Sequence, residues 1–362
     1  MKARLWRGDL HYAGVTLHTA ASGAINALDT LWLTLDDDGA QGVGEVRLNI
    51  QYLHGYSETQ VLNNVQQYLA RRNGTQEIAA QLAAVHAPDS GLLTPSRMLL
   101  EMALLDLQAR QHNQPLSRWL GGGASPLPVA TNQTLFWGSD AQLIDQAETY
   151  LERGFTQLKL RAGVTDFATD LRRLRLLRAR FGDAVSLAID VNGQWSVSQA
   201  QAYLPQLTAL SLSYVEQPLA VADDAALADL TACGIPLMLD ESLNSEAAIA
   251  RLAEAGGALW GHLKLVKLGG ILPTLAAAQR LKAASVPFMI GQMNEGHAAT
   301  AAAIQLCQRI QPDFAELYGA DGLTDDAVSG PFYHQGCVSV PDLPGLGVHF
   351  DAARATFLQE FF

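Results

Sequence analysis

Apolar runs that each end in a charged residue recur at a nearly constant interval through the middle of the chain. Three close on acids: SLAIDVNGQW at Asp190, LSYVEQP at Glu216 and IPLMLDES at Asp240. One interval earlier QLKLRAG carries Lys159 and Arg161, and one interval later HLKLVKLGG carries Lys264. A charge at the end of a buried strand is costly unless it is paired or bound. Five charged strand ends in register therefore predict one site assembled from neighbouring strands.

From PLPVATNQTLF onward the short apolar runs alternate with helical stretches. The runs close near residues 136, 160, 190, 216, 240, 264, 292 and 317. The helical stretches cover 139–153, 166–180, 196–209, 222–232, 245–255, 271–284 and 297–309. Runs this poor in polar alternation suit parallel strands buried on both faces. Eight of them alternating with helices predict an α/β fold of the barrel type. A doubly wound open sheet is the alternative. It requires a glycine-rich phosphate loop, and neither GxGxxG nor GxxxxGK[ST] occurs.

Residues 1–122 keep a different rhythm. Strands are expected over 2–16, 29–37 and 42–49, separated by turns such as DDDGAQG, and helices over 57–72 and 95–111. Ser96 is placed to cap the second helix. The result is an α+β module in front of a barrel over 123–320. Residues 321–362 are loop-rich, with PFYHQG and DLPGLG, and are expected to pack back on the N-terminal module.

Composition narrows the function classes. A net charge of −12 argues against a nucleic-acid partner. Three scattered cysteines without a CxxC point to a reducing compartment. MKARLWRGDLHYAG lacks the apolar core of a secretory signal, and no apolar stretch is long enough to span a membrane. A soluble cytoplasmic protein is expected.

On a barrel, the C-terminal strand ends form the active-site face. Asp190, Glu216 and Asp240 then project from consecutive strands, with Asn192 and Glu241 beside them. Carboxylates without neighbouring Cys or His pairs favour a hard ion, and Mg2+ fits best. The plainer alternative is a set of strand-end acids that cap helices or pair with lysines. Lys159 and Arg161 alternate with Leu160 and so share a face. A divalent ion flanked by cations suits removal of the proton next to a carboxylate, because two negative charges then develop on an ene-diolate. Lys264 serves as base if neighbouring positive charge lowers its pKa. A salt bridge to Asp240 or Glu216 is its other reading, although Lys267 is the more ordinary candidate for that role.

With these motifs in order, the chain resembles the enolase superfamily and, within it, the muconate lactonizing enzyme subgroup. LLEMALLDLQARQHNQPLSRWLGGG resembles the segment leading into that family's barrel. QLKLRAG stands at its K-x-K, DVNGQW at its D-x-N, and VEQP and LDES at the next two ligands. HLKLVKLGG matches the strand-six lysine, and IGQMNEG and AELYGADGLTDD match strands seven and eight. The resemblance implies a modified TIM barrel, (β/α)7β, under an N-terminal α+β capping domain. It implies one Mg2+ per subunit on Asp190, Glu216 and Asp240, with Lys264 as acid/base. Lys159 would hold the carboxylate of a small-molecule substrate, Glu316 would position it, and Gln292 is a further candidate contact. Relatives are commonly homo-oligomers.

Arg161 departs from the family pattern, which has a second lysine there. Arginine stays protonated and is a poor base. A single lysine suits a syn β-elimination, such as dehydration of a small hydroxy acid or hydroxylated amino acid. Arg161 also suits an extra anionic group on the substrate. A racemase or epimerase, and a muconate-type cycloisomerase, are the alternatives. Tyr318, in Glu316-Leu317-Tyr318, stands where dipeptide epimerases carry D-x-D, which counts against a dipeptide. His297 lies just past strand seven and reads as an ordinary helix-terminal histidine. In the two cap loops, 18–26 and 45–56, Ser22, Arg47, Tyr52 and His54 are candidate substrate contacts.

Overall fold

The structure is a computed structural model that describes every residue except 14–16, 20–22, 124–126 and 137, and leaves the side chains of 17–19, 23 and 24 undescribed. Its centre is one sheet of eight parallel strands in chain order. They are Gln133–Leu135, Gln157–Arg161, Ser186–Asp190, Val215–Glu216, Leu237–Leu239, Leu259–Lys264, Phe288–Gly291 and Phe314–Glu316. Below they are the first to eighth barrel strands. Helices connect each strand to the next, and the eighth leads into the C-terminal segment, giving the (β/α)7β arrangement.

Local sequence sets where the helices start. Ser139 and Ser196 each accept the backbone N–H three residues on, and Gln142 and Gln199 reach back to close capping boxes. Asp166 and Ser245 cap the helices Phe167–Phe181 and Glu246–Ala255 in the simpler way. One connection departs from expectation. Instead of a helix over 222–232, a single α turn at Leu227–Leu230 lies between 3-10 turns. Only Leu227 and Leu230 are buried there, and Asp224 is tied to the Ser242 hydroxyl at 2.8 Å, so little apolar surface holds a longer helix.

The ladder does not run from the eighth strand to the first. That seam closes through Asn132 N to Ala315 O at 3.1 Å and Leu317 N to Thr131 Oγ1 at 2.8 Å. The Asn132 side chain adds a bond from Nδ2 to Glu316 Oε2 at 2.9 Å. Barrel closure and the placement of Glu316 are therefore one interaction set.

The N-terminal sheet pairs Lys2–Leu10, Leu28–Asp37 and Ala40–Arg47 antiparallel. Thr356–Phe361 from the far end of the chain adds a fourth strand against the first. The first strand stops at Leu10 rather than continuing to 16, because the chain turns away to the C-terminal segment through a Tyr12–Leu323 bridge. Helices run over Glu58–Arg71, Ile78–His86 and Thr94–Gln111. The last packs directly on the Ala40–Arg47 strand, where a Cβ on Gly44 would overlap Leu99 O. Ser96 is not its cap. Leu93 holds that place, Pro95 opens the first turn, and the buried Ser96 Oγ has no partner among the described residues.

Two buried acids of this module plug barrel helices. Glu45 accepts from Gly296 N at 2.6 Å and Ala298 N at 2.9 Å, at the start of His297–Ile310. Glu101 accepts from Ile271 N and from Leu272 N at 3.0 Å, at the start of Ile271–Ala283. Helix N-termini carry partial positive charge and unpaired N–H groups, so a carboxylate satisfies both.

Candidate active site

A cavity of about 210 Å³ opens at the C-terminal ends of the barrel strands. It is small beside ordinary ligand pockets of roughly 300–1,000 Å³, which limits the occupant to a small molecule. Arg161, Asp190, Asp240, Lys264 and Glu316 line it, as do Asn192, Glu241, Gln292, Tyr318 and, from the N-terminal module, Tyr52.

The acids come together as their register dictates. Asp190 and Glu216 are direct partners on adjacent strands, and Asp240 closes the next strand along. Their exposures are 3%, 0% and 2%, so their charges need partners. Lys159, itself 1% exposed, lies 2.8 Å from Glu216 Oε2 and 3.7 Å from Asp190 Oδ2, and also pairs with Glu316. It sits beneath the cavity and is not among its lining residues. Asp240 takes Lys264 Nζ at 2.6 Å on one oxygen and Lys267 Nζ at 2.5 Å on the other. Lys267 also bonds Asp240 O and His262 O, which makes it a structural clamp. Lys264 alone of the two faces the cavity.

The electrostatics are uneven. Burial alone would raise Asp240, but Lys264 and Lys267 outweigh it and hold its carboxyl well below the ordinary range. Asp190 is pushed up by burial and by the Glu216 carboxylate, despite Lys159 and Arg161. Glu241 is pushed up to about 7, by burial and then by Asp240 and Asp190. Burial works to lower Lys264, but the carboxylates of Asp240, Glu216 and Glu316 reverse this and hold it above its usual value, so the lowered pKa expected of a base is not found with these acids uncompensated. The Asp190 side of the site is short of positive charge.

Arg161 is turned towards that deficit. Its Nη1 donates to Asn192 Oδ1 and lies 3.4 Å from Asp190 Oδ2. Asn192 adopts φ 48°, a left-handed turn that asparagine tolerates. Its Nδ2 then bridges Asp190 Oδ2 and Glu241 Oε1, each at 3.2 Å.

Other candidates fall elsewhere. Arg47 does not line the cavity. Its guanidinium is spent on Asn49 Oδ1 at 2.7 Å and Asn294 O at 3.1 Å, which fastens the N-terminal module to the barrel. His54 stacks on Tyr56 and accepts its backbone N–H at 3.1 Å, away from the cavity lining. Ser22 lies outside the described residues. His297 begins its helix and bonds Asp326 Oδ2 at 2.7 Å.

Two residues escaped the sequence reading. His262 Nδ1 lies 2.7 Å from Glu216 Oε1, and a Cβ on Gly291 would overlap its Nε2. Burial, with Lys264 nearby, lowers its pKa and keeps the ring neutral, so Nδ1–H is the donor. The signal was period two: position 262 shares a strand face with Lys264. Gln217, in VEQP, accepts from Asp240 N at 2.9 Å and Ser242 N at 3.3 Å, and so fixes the backbone that carries Asp240.

The donor set fits a hard divalent cation. Carboxylate oxygens of Glu216 and Asp240 lie within 4.8 Å of each other, and Asp190 is the register partner of Glu216. Glu241 Oε2 is buried with no partner among the described residues, and the Asp190 carboxylate is under-compensated. A cluster of carboxylate oxygens suits a hard, oxygen-preferring divalent cation.

The family model for the enolase C-terminal domain-like family matches residues 142–354. A chloromuconate cycloisomerase from Pseudomonas putida is 33% identical over 265 residues, covering 71% of this chain and 70% of that protein. The chain belongs to the enolase superfamily. Within that superfamily its relatives include an L-Ala-D/L-Glu epimerase from Bacillus subtilis, 31% identical over 258 residues and covering 70% of each chain. The structure of a muconate lactonizing enzyme from Pseudomonas fluorescens, complexed with muconolactone, superposes with a TM-score of 0.87. That match has 26% identity and covers 97% of this chain and 96% of the other. The muconate lactonizing enzyme subgroup is therefore its place among enolase-superfamily enzymes, and the barrel with its N-terminal antiparallel sheet is that subgroup's fold.

Proposed function

We propose that the enzyme removes the proton α to the carboxylate of a small substrate and that β-elimination of a hydroxyl follows. One observation carries this reading. Lys264, on the sixth barrel strand, meets across the cavity not a second lysine but Arg161, on the second strand. In an eight-stranded barrel those strands stand opposite each other. One face of the substrate therefore meets a base and the other a permanent cation.

In this reading Asp190, Glu216 and Asp240 would hold Mg2+, which when bound would offset the negative charge that develops on the substrate carboxylate. Lys264, which the surrounding carboxylates hold protonated until a bound cation offsets their charge, would then take the α-proton, and the C–H pair moves into the carboxylate. The pair then returns to form a C=C bond and expels hydroxide from the β-carbon. Lys264 gives its proton to that hydroxide, and water leaves. Arg161 holds a second anionic group or the developing charge. Lys159 neutralises the acids below, Glu316 positions the substrate, and Tyr52 and Tyr318 close over it. Residues 1–122 with 321–362 form the cap in this assignment, and 123–320 the catalytic barrel. The free cysteines Cys233, Cys307 and Cys337 accord with a cytoplasmic enzyme, and sedimentation tests whether it is a homo-oligomer.

The test is a panel of acid sugars, amino acids and proline analogues incubated with Mg2+ in D2O. Loss of hydroxyl with appearance of a keto acid or imine supports elimination. Recovered substrate that carries α-deuterium with inverted configuration replaces it with the second reading, a racemase or epimerase, which the epimerase relative favours.

A further inference from the structure

We propose that Met293 is a positioning residue for Lys264: its thioether and the Asp240 carboxylate together hold the Lys264 amine so that one direction of the nitrogen opens into the cavity. This rests on the reading of the cavity as a proton-abstraction site, and it adds what aims the base.

Lys264 Nζ has two partners among the described residues. Asp240 Oδ2 lies at 2.6 Å and Met293 Sδ at 3.8 Å, within reach of a weak hydrogen bond to sulfur. The two approach from opposite flanks. The sixth barrel strand runs between the fifth and the seventh. Asp240 follows the end of the fifth, and Met293 stands just beyond the seventh, whose Gly291 is the register partner of Lys264. Besides its bond to Cε, a lysine nitrogen has three directions for protons or a lone pair. With two of them taken, one is left, and both Lys264 and Met293 line the cavity.

Met293 is itself held. Its N–H donates to Glu295 Oε2 at 3.1 Å, and a Cβ on Gly319 would come within 2.5 Å of its carbonyl oxygen. Arg47 Nη1, from the N-terminal module, donates to the next carbonyl, Asn294 O, at 3.1 Å. The thioether therefore projects from backbone fixed on both sides. Its chemistry suits the place. Asp240 and Glu241 already bring carboxylates to this side of the cavity, and sulfur adds a weak acceptor without further charge. Lysine is a point charge on a flexible four-carbon stem, and the Asp240 bond alone leaves the amine free to turn about that bond. A reacting group misplaced by about 1 Å can cost about 10²-fold in rate.

The experiment uses Mg2+-loaded full-length protein. Crystal structures of the wild type, Met293→Leu and Met293→Gln read the position of the amine, and D2O exchange with the panel of small carboxylates reads α-proton abstraction. Leucine fills similar space without an acceptor, so Lys264 Nζ is expected to divide between rotamers or to move by about 1 Å. α-Proton exchange at saturating substrate should fall about ten-fold, with KM within about two-fold of wild type, the split left when alignment is lost and binding is kept. Met293→Gln keeps a neutral acceptor of similar reach and should restore a single Nζ position and most of the exchange. Lys264 unmoved in Met293→Leu overturns the proposal, as does a rise in KM with exchange at saturation unchanged, which would make Met293 a substrate contact instead. A displaced amine in Met293→Leu, with no α-proton exchange by the wild type on any member of the panel, leaves Met293 in this role and removes the proton-abstraction reading.

Discussion

Lys264 Nζ lies 2.6 Å from Asp240 Oδ2, while Arg161, on the opposite strand, donates to Asn192 and faces Asp190. The site is thus asymmetric: a lysine paired to Asp240 on one side, and an arginine on the other.

That asymmetry is testable by substitution. Lys264→Ala should lower α-proton exchange by roughly 10²–10⁴-fold, the range for loss of a general base. Arg161→Lys should supply the missing second base and produce recovered substrate of inverted configuration. NMR of substrate recovered from D2O checks both. Unchanged exchange in Lys264→Ala would remove the mechanism.

Asp240 is the sole carboxylate in contact with both Lys264 and Lys267 among the described residues. Asp240→Asn leaves two ammonium groups buried without their counter-charge, at a cost of about 3–5 kcal/mol. A large fall in Tm is expected in EDTA. In the wild type, Mg2+ at a hundred times its Kd should add about 2.7 kcal/mol of stability. Retention of that full gain in Asp240→Asn would argue against Asp240 as a ligand.

Glu295 gives a pH signature. Burial pushes its carboxyl up to about 7, against the Met293 N–H bond and Arg47. Its unfolded value is about 4.3. An acid whose folded pKa is raised contributes stability that is full below the unfolded value and is lost as pH rises through the folded one. The loss between pH 5 and 8 is on the order of 3 kcal/mol. Glu295→Gln should flatten that slope in urea unfolding of metal-free protein, and an unchanged slope would assign it to other groups.

Ser96 separates two local readings. As a helix cap, its replacement by alanine would cost about 1 kcal/mol. As a buried hydroxyl without a partner, its loss should be neutral or stabilising, by up to about 1 kcal/mol. The structure requires the second outcome, and a denaturant midpoint measures it.

The barrel was legible because its signal is local and repeated. All eight of its strand ends lie within a residue of the expected positions, since charge after an apolar run marks where most of the buried strands reach the mouth. The acids and Lys264 were found the same way. Arg47 was not, because a strand-end arginine looks alike whether it faces substrate or, as here, a backbone carbonyl of another module. His262 and Gln217 act one layer below the mouth, where they hold Glu216 and the Asp240 backbone. Nothing in a single strand's pattern reveals which neighbour a side chain supports. The helix Ile78–His86 was missed because alanines on most of its faces blur its apolar stripe. The turn at Leu227–Leu230 shows the converse, a helical rhythm with too little burial to sustain a helix.

Glu45 and Glu101 bear on protein engineering. Because they close the starts of two barrel helices, the N-terminal module is not an interchangeable attachment. A chimaera that grafts a relative's cap onto this barrel has to bring an acid to each of the two places. Otherwise it leaves the first N–H groups of both helices without their acceptor, and the graft would fail at the joint before its altered loops met any substrate.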